Sequence, residues 1–156
     1  MAKVPTPGRM LALALAATAI TVAVAVSGSV SGSAATGPAV VRLTDRQMSD
    51  VHLGRAGRVG SGEVVRLQLF GNNGRQAIGR AVILCWGVEQ GVRQCSGSYV
   101  LPRGAVETAG LVRSRLLYTQ AIVGGTGVYD NARGTVTVTA TSVTPRRELV
   151  VMRLTG

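Results

Sequence analysis

The sequence predicts an all-β domain of eight short strands, a sandwich or a barrel, behind an N-terminal export segment. Three observations predict it. No helical hydrophobic periodicity runs through the chain after residue 35. The run TVTVTAT after Gly134 alternates polar and apolar residues strictly, the period of a half-buried strand. The links between apolar runs are short and built of Gly, Pro, Asn and Asp, the residues that turns require.

Met1 to Ala35 reads as a secretory signal peptide. Lys3 and Arg9 form a positive n-region, Met10 to Val26 is an apolar run, and Ser33 and Ala35 fit the small-x-small cleavage rule. The competing reading is an uncleaved anchor, but Ala, Thr and Val make this run short and only moderately hydrophobic for a bilayer span. No cysteine follows the run to mark a lipoprotein, and the n-region lacks an arginine pair. Cleavage after Ala35 leaves residues 36–156, enough for one domain and too few for two.

The strands expected in that domain are Ala39 to Thr44, Glu63 to Phe70, Gln76 to Trp86, Val92 to Leu101, Ala105 to Val112, Arg115 to Val123, Gly134 to Val143 and Glu148 to Leu154. Turns fall at Gly71-Asn72-Asn73-Gly74, Glu89-Gln90-Gly91, Pro102-Arg103-Gly104, the Gly124 to Gly127 cluster and Pro145. Asp45 to Ser61 shows no clear period and is read as an irregular loop.

After residue 35 the chain has no lysine; 15 arginines face 7 acidic residues. Such a balance suits anionic surfaces. The arginines are nevertheless scattered singly along strands and aromatic residues for base stacking are scarce, which argues against nucleic acid. Once the signal is removed, no membrane segment remains in this reading.

Cys85 and Cys95 are the only cysteines, and export puts them in an oxidising compartment. A three-residue turn at Glu89-Gln90-Gly91 sets Val88 opposite Val92, and the same register brings Cys85 opposite Cys95. Opposed residues of a non-hydrogen-bonded pair lie within disulfide reach, so a structural disulfide is expected. A metal site would need more ligands than the lone His52 supplies, and none is expected.

The stretch AIVGGTGVYDNARG, Ala121 to Gly134, joins two strands through Gly124, Gly125 and Gly127. It lacks the Lys-Ser/Thr pair of a phosphate loop, and it lacks the helix that a dinucleotide fingerprint requires. It resembles the signature of the dirigent / allene oxide cyclase barrel family, in which a strand ending in AI-x-GGTG precedes an aromatic residue and an ARG-type motif. GSGEVVRLQLFGNNGRQAIGRAVILC (Gly60 to Cys85) resembles the family's strand pair around a glycine-bearing turn. CSGSYVLPRGAVETAGL (Cys95 to Leu111) resembles the bacterial branch's hairpin. The resemblance spans roughly Val40 to Val143. It selects an eight-stranded antiparallel β-barrel over a sandwich, and in such a barrel the Asp45 to Ser61 segment is read as a loop over one end. Eight strands leave an interior just wide enough for side chains or one small ligand.

The resemblance also implies a ligand site. In dirigents, which guide the coupling of phenoxy radicals, the ARG arginine lines the pocket, and that position is Arg133. Some dirigents carry an aspartate after GGT, where this chain has Gly127. Tyr99, Tyr118 and Tyr129 are candidates to face a ligand, although alternation does not say which point inward. Asp130 shares a turn with Tyr129, Asn131 and Arg133; it either assists there or simply makes an Asx-type turn. No serine sits in a nucleophile elbow and His52 is the single imidazole, so no catalytic constellation is legible. The expected partner is a small apolar or aromatic molecule, without a cofactor. The resemblance makes a homo-oligomer an expectation, with no interface legible. The expected location is extracellular, with cell-wall association open. The alternative is a non-catalytic structural or surface-interaction barrel whose interior is filled by side chains.

Overall fold

The computed structural model describes residues 39–71 and 73–155, so the expected signal peptide and its cleavage site lie outside the described residues. The described chain is a closed antiparallel barrel of eight strands in sequence order: β1 (Val40–Leu53), β2 (Gly62–Phe70), β3 (Ala77–Glu89), β4 (Val92–Leu101), β5 (Gly104–Val112), β6 (Leu117–Gly125), β7 (Arg133–Val143) and β8 (Arg146–Thr155). The β1–β8 ladder, from Val40↔Arg153 to Arg46↔Arg147, closes it. The eight-stranded barrel expected from the sequence is the observed fold. We call the end bearing the β3–β4 turn the upper end and that bearing the β6–β7 connection the lower.

Alternation fills the interior. Along β8, Glu148, Val150, Met152 and Leu154 are buried while Arg147, Arg153 and Thr155 face outward or lie less covered. Leu67 and Leu69 of β2, Ile83 of β3, Tyr99 and Leu101 of β4, and Val136 and Val138 of β7 complete the packing with Leu43. Only an inward position next to a small residue can accept a ring as large as Tyr99. Gly97 supplies that space, because a Cβ there would meet both Ile83 and Tyr99.

Two local expectations are corrected. Residues 45–53 are not part of a loop: β1 runs on to Leu53, pairing Ser49 to Leu53 with Arg66 to Gly62 across a bulge between Gln47 and Ser49. The strand was hidden because its inward residues at this end, Asp45 and Gln47, are polar, and because the bulge at Met48 breaks the period. The loop over the upper end is thereby shortened to residues 54–61. The β3–β4 turn also differs in detail. Glu89 pairs with Val92, which leaves Gln90 and Gly91 as a two-residue turn with Gly91 at φ 74°, and Val88 forms a bulge. The extra residue moves from turn to bulge, so the register beyond it is unchanged and Cys85 still faces Cys95, disulfide-bonded with Cα atoms 4.0 Å apart.

The glycine cluster closes the lower end. Gly127 has φ 64° and opens a short 3-10 turn, Gly127–Tyr129. A Cβ on Gly127 would strike the Arg103 carbonyl, and one on Gly125 would strike the carbonyls of Tyr129 and Ala105. The motif lets the β6–β7 connection lie backbone-to-backbone on the β4–β5 turn, held by Val128 N–H donating to Arg103 (3.0 Å) and Thr126 N–H to Ala105 (2.9 Å).

Because the hairpin register is set by the barrel and not by the crosslink, the double substitution Cys85→Ser/Cys95→Ser is expected to keep the far-ultraviolet circular dichroism of the barrel. It should lower the unfolding free energy by about 2–3 kcal/mol in denaturant titration, the entropy of a ten-residue loop.

Candidate functional site

The interior changes character at the upper end. The inward rows of several strands are apolar until they near this end, where polar and ionisable groups follow: Glu63 on β2, Glu148 and Arg146 on β8, Arg93 on β4, and Asp45 and Gln47 on β1. Below them Val65, Leu67, Ile83, Val112 and the Cys85–Cys95 disulfide form an apolar floor, and Tyr118 of β6 adds a wall. Between rim and floor lies a narrow cavity, with about 40 Å³ open to the centres of water-sized spheres. That volume admits water and leaves a ring-sized ligand to sit partly above it.

The wall beside Tyr118 is lightly stitched. The β5–β6 ladder has four pairs, from Val106↔Gly125 to Ala109↔Ala121, and stops below the upper third of both strands. Gly110 and Gln120 still touch there, and Gln120 Nε2 donates to the Cys95 carbonyl at 3.0 Å while its Oε1 is buried without a partner. The link across this seam carries Arg113 and Arg115.

Two ionic groups organise the rim. Glu63, nearly buried, accepts from Arg93 at 2.7 Å and from both terminal nitrogens of Arg115 at 3.0 and 2.8 Å. Burial and the neighbouring Arg115 charge lower the proton affinity of Arg93. Glu148 accepts from Arg146, Nε at 2.9 Å and a terminal nitrogen in addition. Arg146 is tied in turn to the Arg115 carbonyl at 2.7 Å.

Asp45 stands directly opposite Glu148 in the β1–β8 ladder, 2 % exposed, and neither of its oxygens has a hydrogen-bond partner among the described residues. Burial and the Glu148 charge push its carboxyl from the ordinary 3.8 up to about 8. Arg146 is the partner of Glu148, and Asp45 keeps its proton at neutral pH. Burial, first, and these two acids also raise the phenols of Tyr118 and Tyr99, so both remain hydrogen-bond donors.

The residues expected to meet a ligand are divided between the two ends. Tyr118 lines the cavity and Tyr99 is buried beneath it. Arg133, Tyr129 and Asp130 are at the lower end: Tyr129 is buried in the core, Asp130 is exposed beside Asn131, and Arg133 donates to the carbonyl of its neighbour Ala132 at 2.8 Å. Sequence reasoning did not single out Glu63, Arg93, Arg115, Arg146, Glu148 or Asp45. Their signal was parity, each lying in phase with the inward apolar residues of its strand or on the link beside it. His52, on the inward face of upper β1, hydrogen-bonds Asp50 at 3.1 Å, and these two with Glu63 place three ligand atoms within 4.8 Å. Both oxygens of Glu63 already serve guanidinium groups, whose positive charges oppose a cation there.

A closed eight-stranded antiparallel barrel, packed below and ending in a polar-rimmed cavity above, defines a small single-domain β-barrel of the kind that can hold one small molecule. Residues 40–152 match the allene oxide cyclase barrel like domain family, and the chain belongs to it. Among solved structures, the barrel is similar to a pyocyanin demethylase (22% identity, 74% of this chain and 98% of that one, TM-score 0.64). It is also similar to an exo-specific intermolecular Diels-Alderase (15% identity, 75% and 97%, TM-score 0.64). A pterocarpan synthase dirigent protein matches with 17% identity over 74% and 84% and a TM-score of 0.61. At these identities the likeness is one of fold. No curated protein matches the sequence.

A proton held on Asp45 has a cost that pH exposes. Unfolded, Asp45 ionises near 3.8; folded, it does so near 8, so its contribution to stability is full below about pH 4 and is lost as pH rises from 4 to 8. Asp45→Asn is expected to stabilise the barrel at pH 7 by about 1–3 kcal/mol, the buried amide retaining part of the desolvation cost. The gain should vanish at pH 4 when denaturant unfolding is compared at the two pH values.

Proposed function

We propose that the chain is an exported barrel that binds a small apolar or aromatic molecule at its upper end and guides its coupling or cyclisation by confinement. The observation that carries this reading is the change of the interior from packed hydrocarbon to a cavity with an apolar floor and a rim of ionised and protonated groups. Burying unpaired polar groups costs free energy that a purely structural barrel has no reason to spend. The similar folds support the chemistry by their names, since a dirigent protein, a Diels-Alderase and a cyclase of [4 + 2] cycloaddition share this barrel.

In this reading the apolar body rests over Val65, Val112 and the disulfide. Tyr118 donates a hydrogen bond to a ligand oxygen, Tyr99 supports that wall from below, and Glu148 with the proton on Asp45 forms an acid–base pair next to it. The barrel's contribution is orientation and exclusion of water. Arg133, Tyr129 and Asp130 anchor the lower-end turn instead. A disulfide and a signal-like N-terminus support export.

The second reading, a structural barrel, is favoured by the small enclosed volume. Native mass spectrometry of protein collected from the medium of an expressing bacterium separates the two. The expected result is a chain starting after Ala35, two hydrogens light, carrying added mass that denaturation releases and that Val65→Phe, which fills the cavity, abolishes. A wild-type protein free of added mass would favour the structural barrel. Loss of the added mass in Arg133→Ala, with retention in Val65→Phe, would move the site to the lower end.

A further inference from the structure

We propose that the upper end is a receptor for an organic anion: a carboxylate, sulfonate or phenolate on an apolar body, its charged group taken by Arg93 and Arg115. This deepens the ligand reading above and rests on it.

Above the cavity lies a second recess of about 260 Å³, bounded by Ser61 and Gly87 below the 54–61 loop and by Val92, Arg93, Arg113 and Arg115. Arg93 and Arg115 border both spaces, so anything passing from recess to cavity passes their guanidinium groups. Two guanidinium groups present ten N–H donors. Three are engaged by Glu63. Two positive charges share that one carboxylate, and the Arg93 side chain is only 21% exposed. An arginine held this far from water beside a second arginine gains most from another acceptor, and planar oxyanions fit the guanidinium fork.

The remaining charges agree. Arg146 and Glu148 neutralise each other, Asp45 is protonated, and Asp50 pairs with His52. Arg113 joins the recess without an ion pair among the described residues, against Glu89 on the same rim. Where the two spaces meet, two guanidinium groups face the single Glu63 carboxylate. The apolar body would lie along Val92 and reach toward Val112 and the disulfide. A neutral molecule of the same shape gains the apolar contacts but leaves the guanidinium donors unmet.

Two dyes with the same carbon skeleton test this: 8-anilinonaphthalene-1-sulfonate carries an anionic group that N-phenyl-1-naphthylamine lacks. Their fluorescence on titration with the exported protein, at fixed salt, reads each affinity. The sulfonate should bind at least about tenfold more tightly than the neutral dye. Arg115→Gln should remove about that factor for the sulfonate and leave the neutral dye within about twofold. Arg75→Gln, the same loss of charge at the opposite end, should change neither. Should Arg115→Gln fail to fold, Arg113→Gln on the exposed rim is expected to weaken the sulfonate alone. Equal affinities for the two dyes in the wild type would overturn the anion proposal and leave the apolar-ligand reading standing. Equal effects of Arg75→Gln and Arg115→Gln would also overturn it, reducing the preference to overall charge. Binding of neither dye would overturn both readings.

Discussion

Closure of the sheet by the β1–β8 ladder is the constraint from which the rest of this molecule follows. Once Val40 to Arg46 pair with Arg153 to Arg147, no edge remains, and each residue must face either the interior or the outside. An eight-stranded interior is wide enough for side chains and little else. Leu, Ile, Val and Met therefore fill the lower and middle levels, with Tyr99 accommodated only because Gly97 gives way to it. The lower end is sealed by backbone, as Gly125 and Gly127 let the β6–β7 connection rest directly on the β4–β5 turn.

At the upper end the same closure produces the opposite result. Strands of different lengths finish at different heights, and Asp45, Glu63, Arg93, Arg146 and Glu148 are among their inward residues near this end. Apolar walls on one side and limited water on the other make each of these groups dependent on its neighbours. Two arginines reach Glu63, and Arg146 reaches Glu148. Asp45, opposite Glu148 and without a hydrogen-bond partner among the described residues, is left protonated. A protonated carboxyl and two guanidinium groups that share one carboxylate thus gather at the end of the barrel where the apolar floor begins.

Much of the fold was legible because alternation and turn residues are local. Seven strands were placed nearly where they lie, and the Cys85–Cys95 pairing followed from the hairpin even though its turn differs by one residue from expectation. The second half of β1 was illegible because its inward residues are polar and a bulge at Met48 shifts the period, so the alternation that marks a strand is lost there. The glycine-rich signature marked the family, and its glycines serve backbone packing at the end remote from the cavity. Of the candidate residues, Arg133, Tyr129 and Asp130 stand at the lower end with that motif, Tyr99 is packed in the core, and Tyr118 lines the upper cavity.

The sequence by itself determined the all-β class, most of the strand positions and the one disulfide, since each depends on residues near in the chain or on the only two cysteines present. Its family resemblance decided barrel over sandwich. Only the tertiary structure decided which charged residues meet. Glu63 and Arg115 are 52 positions apart, and Asp45 and Glu148 are brought side by side solely by barrel closure. That Asp45 keeps its proton depends on burial and on neighbours from other strands, which no local pattern records.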